Sequence, residues 1–231
     1  MQWTPTPEEL SALATSLVVG ARATAIALPL ALVAALALSR GRFPGRGVLD
    51  ALVHAPLVLP PVVVGYLLLV VFGVQGPLGR LLEGAFGVRL VFTSAGASLA
   101  AGVMAFPLMV RVIRLSLEAV DPRLEEAARS LGASRLDRLV SITLPLSLPG
   151  VLAAAIIGFA ACLGEFGAVI TFAANVPGET QTLPLAIYSA LQAPGGEAAA
   201  ARLAALSLVL AVGALALSEA LARRAAGWIG R

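Results

Sequence analysis

Charge is scarce in this sequence: only 13% of its 231 residues are acidic or basic, about half the ~25% of an ordinary soluble domain. With 59% hydrophobic residues and a mean hydropathy of +0.94, that scarcity excludes a water-soluble globular domain. Lysine is absent; all sixteen basic residues are arginine, a bias in step with the heavy use of alanine and leucine, and it identifies no partner. The single cysteine, Cys162, lies in an apolar stretch, which excludes an intrachain disulfide framework or a cysteine-built metal site. No glycine-lysine phosphate-binding motif is present, so P-loop chemistry is excluded. Ahead of the first apolar run stand Glu8 and Glu9 and no positive charge, unlike a cleaved signal peptide, so that run is expected to be retained.

What is present is a series of apolar stretches long enough to cross a bilayer as helices, which takes roughly 20 residues each. Five spans are expected, at about 14–38, 51–73, 94–116, 147–173 and 200–222. The arginines alternate with them: Arg40, Arg42 and Arg46 after the first; Arg111, Arg114, Arg123, Arg129, Arg135 and Arg138 around the end of the third; Arg223, Arg224 and Arg231 at the C-terminus. By the positive-inside rule these loops are cytoplasmic, with the N-terminus outside and the C-terminus inside. This accounts for the sequence pI of about 10.0 without nucleic acid. The organisation expected is a tail at 1–10, a transmembrane domain at 11–222 with a polar loop at 118–146, and a tail at 223–231. The fold class is all-α, a polytopic membrane helical bundle.

Three details interrupt the apolar runs. Arg22 falls in the first; near the outer edge it can snorkel to the headgroups, or else contact a neighbouring helix. Leu59-Pro60-Pro61-Val62, followed by Gly65, must kink or open the second span, because two consecutive backbone donors are missing. Phe106-Pro107 is a second such point, and both could line a pathway. No arginine stands in mid-span on these boundaries. His54 reads as a satisfied interface histidine, and Glu219 can pair with Arg223 one turn later. No catalytic constellation and no metal site is expected.

The polar loop is the most informative segment. Asp121-Pro122 is a helix start, Gly132 suits a left-handed terminating residue, and Ser134 with Asp137 resembles a capping box. Leu144-Pro145 and Leu148-Pro149 are expected to break the chain before the fourth span. The loop therefore reads as helix, glycine turn, helix, with Leu131, Leu136 and Leu139 as apolar anchors. A rigid pair of helices can transmit a partner's movement; the alternative is an amphipathic loop lying on anionic headgroups.

The spacing Glu126-Ala127-Ala128, Gly132, then Ile142-x-Leu144-Pro145 resembles the loop by which membrane subunits of type I ABC importers, of MetI-like fold, grip their ATPase. Leu57 to Tyr66, Phe106 to Arg111, Leu163 to Ala168 around Gly164-Glu165-Phe166-Gly167, Asn175 to Thr180 and Ala193 to Glu197 are similar to the molybdate permease family. The resemblance extends over nearly the whole chain. The Gly-Glu-Phe-Gly segment is shared with sulfate and tungstate permeases; the Pro177-Gly178-Glu179-Thr180 and Ala193-to-Glu197 pieces point more narrowly to molybdate.

The resemblance implies a multi-pass subunit of the bacterial cytoplasmic membrane, paired as a homodimer with two ATPase copies and an extracytoplasmic molybdate-binding protein. ATP and magnesium then belong to the ATPase, and this chain binds no cofactor. Coupling would fall to Glu126, Ala127, Ala128, Gly132, Ile142, Leu144 and Pro145, with Arg129, Arg135 and Arg138 facing carboxylates of the ATPase. Pro60, Pro61, Gly65, Gly164, Glu165 and Gly167 are candidates for pathway or gate. Glu165 would repel an oxyanion, so it is expected to hydrogen-bond across an interface or pair with Arg22 or Arg202, with a gate or a binding-protein contact as the alternative. Transport of sulfate, thiosulfate or tungstate remains open, as does a passive channel or membrane-enzyme subunit without an ATPase.

Overall fold

The computed structural model describes residues 4–41 and 43–229, excluding the side chains of 215, 217–219 and 221–229. The expected Glu219–Arg223 pair lies outside the described residues. Among them, every regular element is helical. The first helix, α1 (Pro7–Arg40), opens on a capping box: Glu9 N–H donates to Thr6 Oγ1 at 3.3 Å, and Thr6 N–H donates to Glu9 Oε2 at 3.0 Å. Then come α2 (Arg46–Val58), α3 (Pro61–Phe72), α4 (Pro77–Phe86) and α5 (Ser94–Glu118). The polar loop holds α6 (Pro122–Ser130) and α7 (Arg135–Arg138). A π-helical turn, Leu139–Thr143, leads into α8 (Leu144–Gly164), followed by α9 (Gly167–Ala173), α10 (Leu183–Gln192) and α11 (Glu197–Ile229).

Four helical runs are long and apolar enough to cross a membrane: α1, α5, Arg135–Gly164 and Glu197–Ala214. A fifth is obtained if α2 and α3 form one broken span. The centre is α5, packed between α1 and α8. Small residues allow this: Ala23, Ala27, Ala31 and Ala35 recur one turn apart on α1 and are buried, as are Ala97, Ala100, Ala101 and Ala105 on α5. In lipid no hydrophobic drive separates helices from acyl chains, so close van der Waals approach between small residues does the work. A side chain at Gly158 of α8 would collide with Met109 of α5, and one at Gly150 with Ser116.

Several expectations need correction. The helix of the first span begins at Pro7 rather than near 14, and at 1.5 Å per residue its 34 residues run about 51 Å, well beyond a ~30 Å hydrocarbon core. Arg22 stands midway along this long helix. Its Nη1 donates to Ser94 Oγ at 3.4 Å, level with the first turn of α5, so the neighbouring-helix contact is made. The second span, expected to kink or open, opens: α2 and α3 are bent by 119°. Leu59 N–H closes α2 on Ala55 O at 3.1 Å, Pro60 and Pro61 donate nothing, and the ladder resumes from Val63 N–H to Pro60 O at 2.9 Å.

The prolines ahead of the fourth span do not break it. The π turn, closed by Leu144 N–H on Leu139 O, carries the helix into α8 with Pro145 in its first turn. A wider turn shifts the hydrogen-bond register and makes room for a ring that would strike the preceding turn. The break comes instead at Glu165-Phe166, between α8 and α9. Helix α5 passes Phe106-Pro107 without interruption.

The additional length of α1 packs against α10 and α11. Ser16 Oγ accepts from Leu183 N–H at 2.7 Å, and Arg202 grips Glu9 through Nη2 to Oε1 at 2.7 Å and Nε to both carboxylate oxygens at 3.1 and 3.2 Å. Glu9 is buried, so an uncompensated partner is costly. Arg202→Met, which leaves the Glu9 carboxylate buried without its cation, is expected to lose stability, seen as a lower melting temperature in detergent, with Glu9→Gln restoring most of it in the double variant. An unchanged melting temperature in the single variant would remove this pair from the interactions that hold that end together.

Candidate functional site

The polar loop folds as its local signals demand. Asp121 caps α6, its Oδ1 accepting from Arg123 N–H at 2.9 Å, and Pro122 occupies the first helical position. At the other end Gly132 sits at φ +89°; its N–H donates to Arg129 O at 3.0 Å and Ala133 N–H to Ala128 O at 3.0 Å. This is a Schellman termination, which satisfies two helix-end carbonyls and requires a left-handed residue. A Cβ at Gly132 would meet nothing within 4 Å, so the demand for glycine is conformational rather than steric. Ser134 and Asp137 then form the capping box of α7, each accepting from the other's backbone N–H at 3.1 Å.

One side chain anchors this unit to the bundle. Glu125 Oε1 accepts from Thr143 Oγ1 at 2.6 Å and pairs with Arg40 Nη1 at 2.7 Å, while Arg40 Nη2 donates to Leu117 O at 3.2 Å. Three runs meet there: the end of α1, the end of α5 and the π turn before α8. Glu125 and Ala128, three residues apart, form the half-buried face of α6, whereas Glu126, Ala127 and Arg129 are exposed. Sequence reasoning singled out Glu126 and missed Glu125, Arg40 and Thr143. Helical spacing carries the missing signal, since adjacent glutamates on a short helix point about 100° apart and only one can face the bundle.

Of the remaining loop candidates, Arg135 and Pro145 are exposed, Ile142 and Leu144 half-buried. Leu131 and Leu136 are 88% and 69% exposed, an apolar tip on an otherwise charged element. Leu139 is half-buried and lines a polar cavity beside the π turn.

A second cluster forms where the two broken helices meet. A Cβ at Gly65 would lie 2.7 Å from Thr171 Cβ and 2.8 Å from Ala168 O; one at Gly167 would lie 2.7 Å from Pro61 Cβ. The structure thus brings together Pro61, Gly65 and Gly167, with Pro60 at the break, and leaves Gly164 facing open space. Glu165 does not pair with Arg22 or Arg202, which are engaged by Ser94 and Glu9. Its Oε1 accepts from Ala168 N–H at 2.9 Å and caps α9, because the break leaves first-turn amides of α9 without helical partners. The Phe166 ring beside it packs on Tyr188 of α10, centroids 5.2 Å apart.

The turns singled out by sequence are backbone devices. Gly178 and Gly195 have φ of +79° and +74°, and the buried Thr180 accepts from Val176 N–H at 3.0 Å. Asn175 and Gln181 join Ser189 in a polar network at the same corner.

Removing the Glu125 carboxylate should release α6 from the bundle. Glu125→Ala is expected to raise amide hydrogen exchange in α6 by about tenfold or more, the local cost of about 1–3 kcal/mol for unpairing its partners. Glu126→Ala, at an exposed position, is expected to leave exchange unchanged; equal rates in the parent and Glu125→Ala would show that the tie holds nothing.

Residues 27–227 match the family model described as the binding-protein-dependent transport system inner membrane component. The chain is 53% identical over 218 residues to the molybdenum transport system permease protein ModB of Escherichia coli K12, covering 94% of this chain and 95% of that protein. It is 51% identical over 216 residues to the protein of the same name from Haemophilus influenzae, covering 94% of each. Among solved structures, a bacterial alginate ABC transporter crystallised with an alginate-bound periplasmic protein superposes with a TM-score of 0.74 at 19% identity, over 95% of this chain and 80% of that one. The all-helical bundle is therefore the ABC importer permease fold, and this chain belongs to the family of binding-protein-dependent transport system inner membrane components.

Proposed function

We propose that this chain is the permease subunit of an ATP-driven molybdate importer and that the α6–Gly132–α7 unit is where a separate ATPase grips it. The observation that carries this reading is Glu125. It ties the loop to the ends of α1 and α5 and to the π turn before α8, so a displacement of the loop acts directly on the central helices. The similarity to proteins named for molybdenum transport supports the substrate.

In this reading the α6 end is cytoplasmic, with the N-terminus outside and the C-terminus inside. The subunit works as a homodimer with two ATPase copies, which hold the ATP and magnesium, and an extracytoplasmic binding protein delivers the anion. Leu131 and Leu136 are the apolar anchors for the ATPase, and Arg129 and Arg135 meet its carboxylates; the exposed Glu126 and Ala127 complete the face, while Ala128 packs behind it beside Glu125. Closure of the ATPases draws the two loops together. The movement passes through Glu125 and, along the Ile142-x-Leu144-Pro145 segment, into α8.

The α3–α9 contact is the candidate gate. Gly65 and Gly167 allow α3 and α9 to touch without intervening side chains, and Pro60 and Pro61 free α3 from α2, so α3 can shift without unwinding a continuous span. Glu165 holds the start of α9 and is not an anion ligand; a carboxylate facing molybdate would repel it.

Uptake of labelled molybdate into liposomes containing this chain, its ATPase and its binding protein is expected to require ATP and to be blocked by tungstate but not by excess sulfate. Equal competition by sulfate would retain an oxyanion importer and overturn the substrate. Gly132→Val places a β-branched residue where left-handed backbone costs about 1–2 kcal/mol and should uncouple ATP hydrolysis from uptake while insertion remains normal. Gly132→Asn, which tolerates that conformation, should transport near the parental rate. Parental uptake by the valine variant would end the coupling assignment.

A further inference from the structure

Between the end of α1, the start of α2 and the π turn lies a polar cavity of about 780 Å³, lined by Arg40, Arg46, Glu125, Arg135, Arg138 and Thr143 among others. Four guanidinium groups against one carboxylate give it a formal charge of +3. Glu125 is already committed to Arg40 and Thr143, and among the described residues no carboxylate lies within 4 Å of Arg46, Arg135 or Arg138. Arg138 is steadied by Nε donating to Ser134 O at 3.3 Å. Cations gathered without counterions repel one another, so an anion that neutralises them is favoured.

A second cavity, of about 550 Å³, lies between α1, α2 and α5 and is almost wholly apolar, with Ile26, Leu30, Leu52, Val53, Leu99 and Phe106 in its wall. The two cavities share α1 and α2: along α2, Arg46 and Leu52 are separated by about 9 Å of helix rise. A basic pocket followed along the same helices by a groove that is apolar but for Arg22 and Ser98 has the order of a phospholipid's head and tail.

We propose that this chain binds an anionic phospholipid, with its headgroup phosphate held by Arg46 and Arg138 in the basic cavity and an acyl chain laid in the groove between α1, α2 and α5. Fork-shaped guanidinium groups suit phosphate oxygens, and the charge selects anionic over zwitterionic lipid. The cavity shares Glu125 and Arg135 with the surface proposed to meet the ATPase, so lipid retention is measured first on the chain alone, without substrate, ATP or ATPase.

The test is native mass spectrometry of the full chain in nanodiscs of phosphatidylcholine doped with phosphatidylglycerol or cardiolipin. Retained anionic lipid is expected, falling about fivefold for each of Arg46→Gln and Arg138→Gln, as expected for one basic contact near a membrane surface. Arg46→Lys should keep most of it. Arg111→Gln, at another cavity of the same end, removes the same charge and should retain lipid at the parental level. Equal loss in Arg111→Gln would reduce the effect to general surface charge and overturn the site. Free phosphate or molybdate bound in pure phosphatidylcholine nanodiscs, without lipid selection, would overturn the lipid, and expulsion of the lipid by added ATPase would assign the cavity to the ATPase interface instead.

Discussion

Close packing of small residues along α1, α5 and α8 is the constraint on which the rest of this structure depends. Ala23, Ala27, Ala31 and Ala35 line one face of α1, and α5 answers with buried alanines. Without a hydrophobic difference between helix and lipid, such approach is the main source of cohesion available in the bilayer. Polar ties at the two ends then fix how the helices are set: Glu9–Arg202 and Ser16–Leu183 at one, Glu125 with Arg40 and Thr143 at the other.

The division between a rigid centre and interrupted helices gives the molecule its mechanical character. Helices α1, α5 and α8 run unbroken through prolines at 29, 107 and 149, whereas α2–α3 and α8–α9 part at 59–60 and 165–166. Backbone groups freed by those breaks are satisfied locally, by Glu165 on Ala168 N–H and by Pro60 O on the first turn of α3. Non-helical backbone in a membrane needs such partners. The breaks meet at Gly65, Gly167 and Pro61, while Leu57 to Val63, around the first break, stay exposed on the single chain.

Much of this was legible in the residues. The all-α bundle, the five apolar stretches and the helix, glycine turn, helix of the polar loop were read from hydropathy and local capping chemistry, because caps and turns depend on neighbours within four or five residues. Asp121, Gly132, Ser134 and Asp137 all behave as their local signals require. The misreadings concern what prolines do. Two in succession opened the second span into a 119° bend, one of the two outcomes expected, whereas Leu144-Pro145 gave a π turn where a break was expected. A proline removes a donor, but whether the helix ends, bends or widens depends on what packs against it.

That the chain lives in a membrane, where its polar loop begins and ends, and which residues turn it can all be read from the residues, because hydropathy and left-handed backbone are properties of short segments. Which charges meet depends on how the helices pack. Glu165 had two arginines as expected partners and took neither, because Arg22 and Arg202 lie against Ser94 and Glu9. Glu125, next to the more conspicuous Glu126, became the anchor, because a partner such as Arg40, 85 positions away in sequence, is brought within reach only when α1 and α5 pack. A charge pair depends on distance in space, and that distance is set by the packing of the whole bundle.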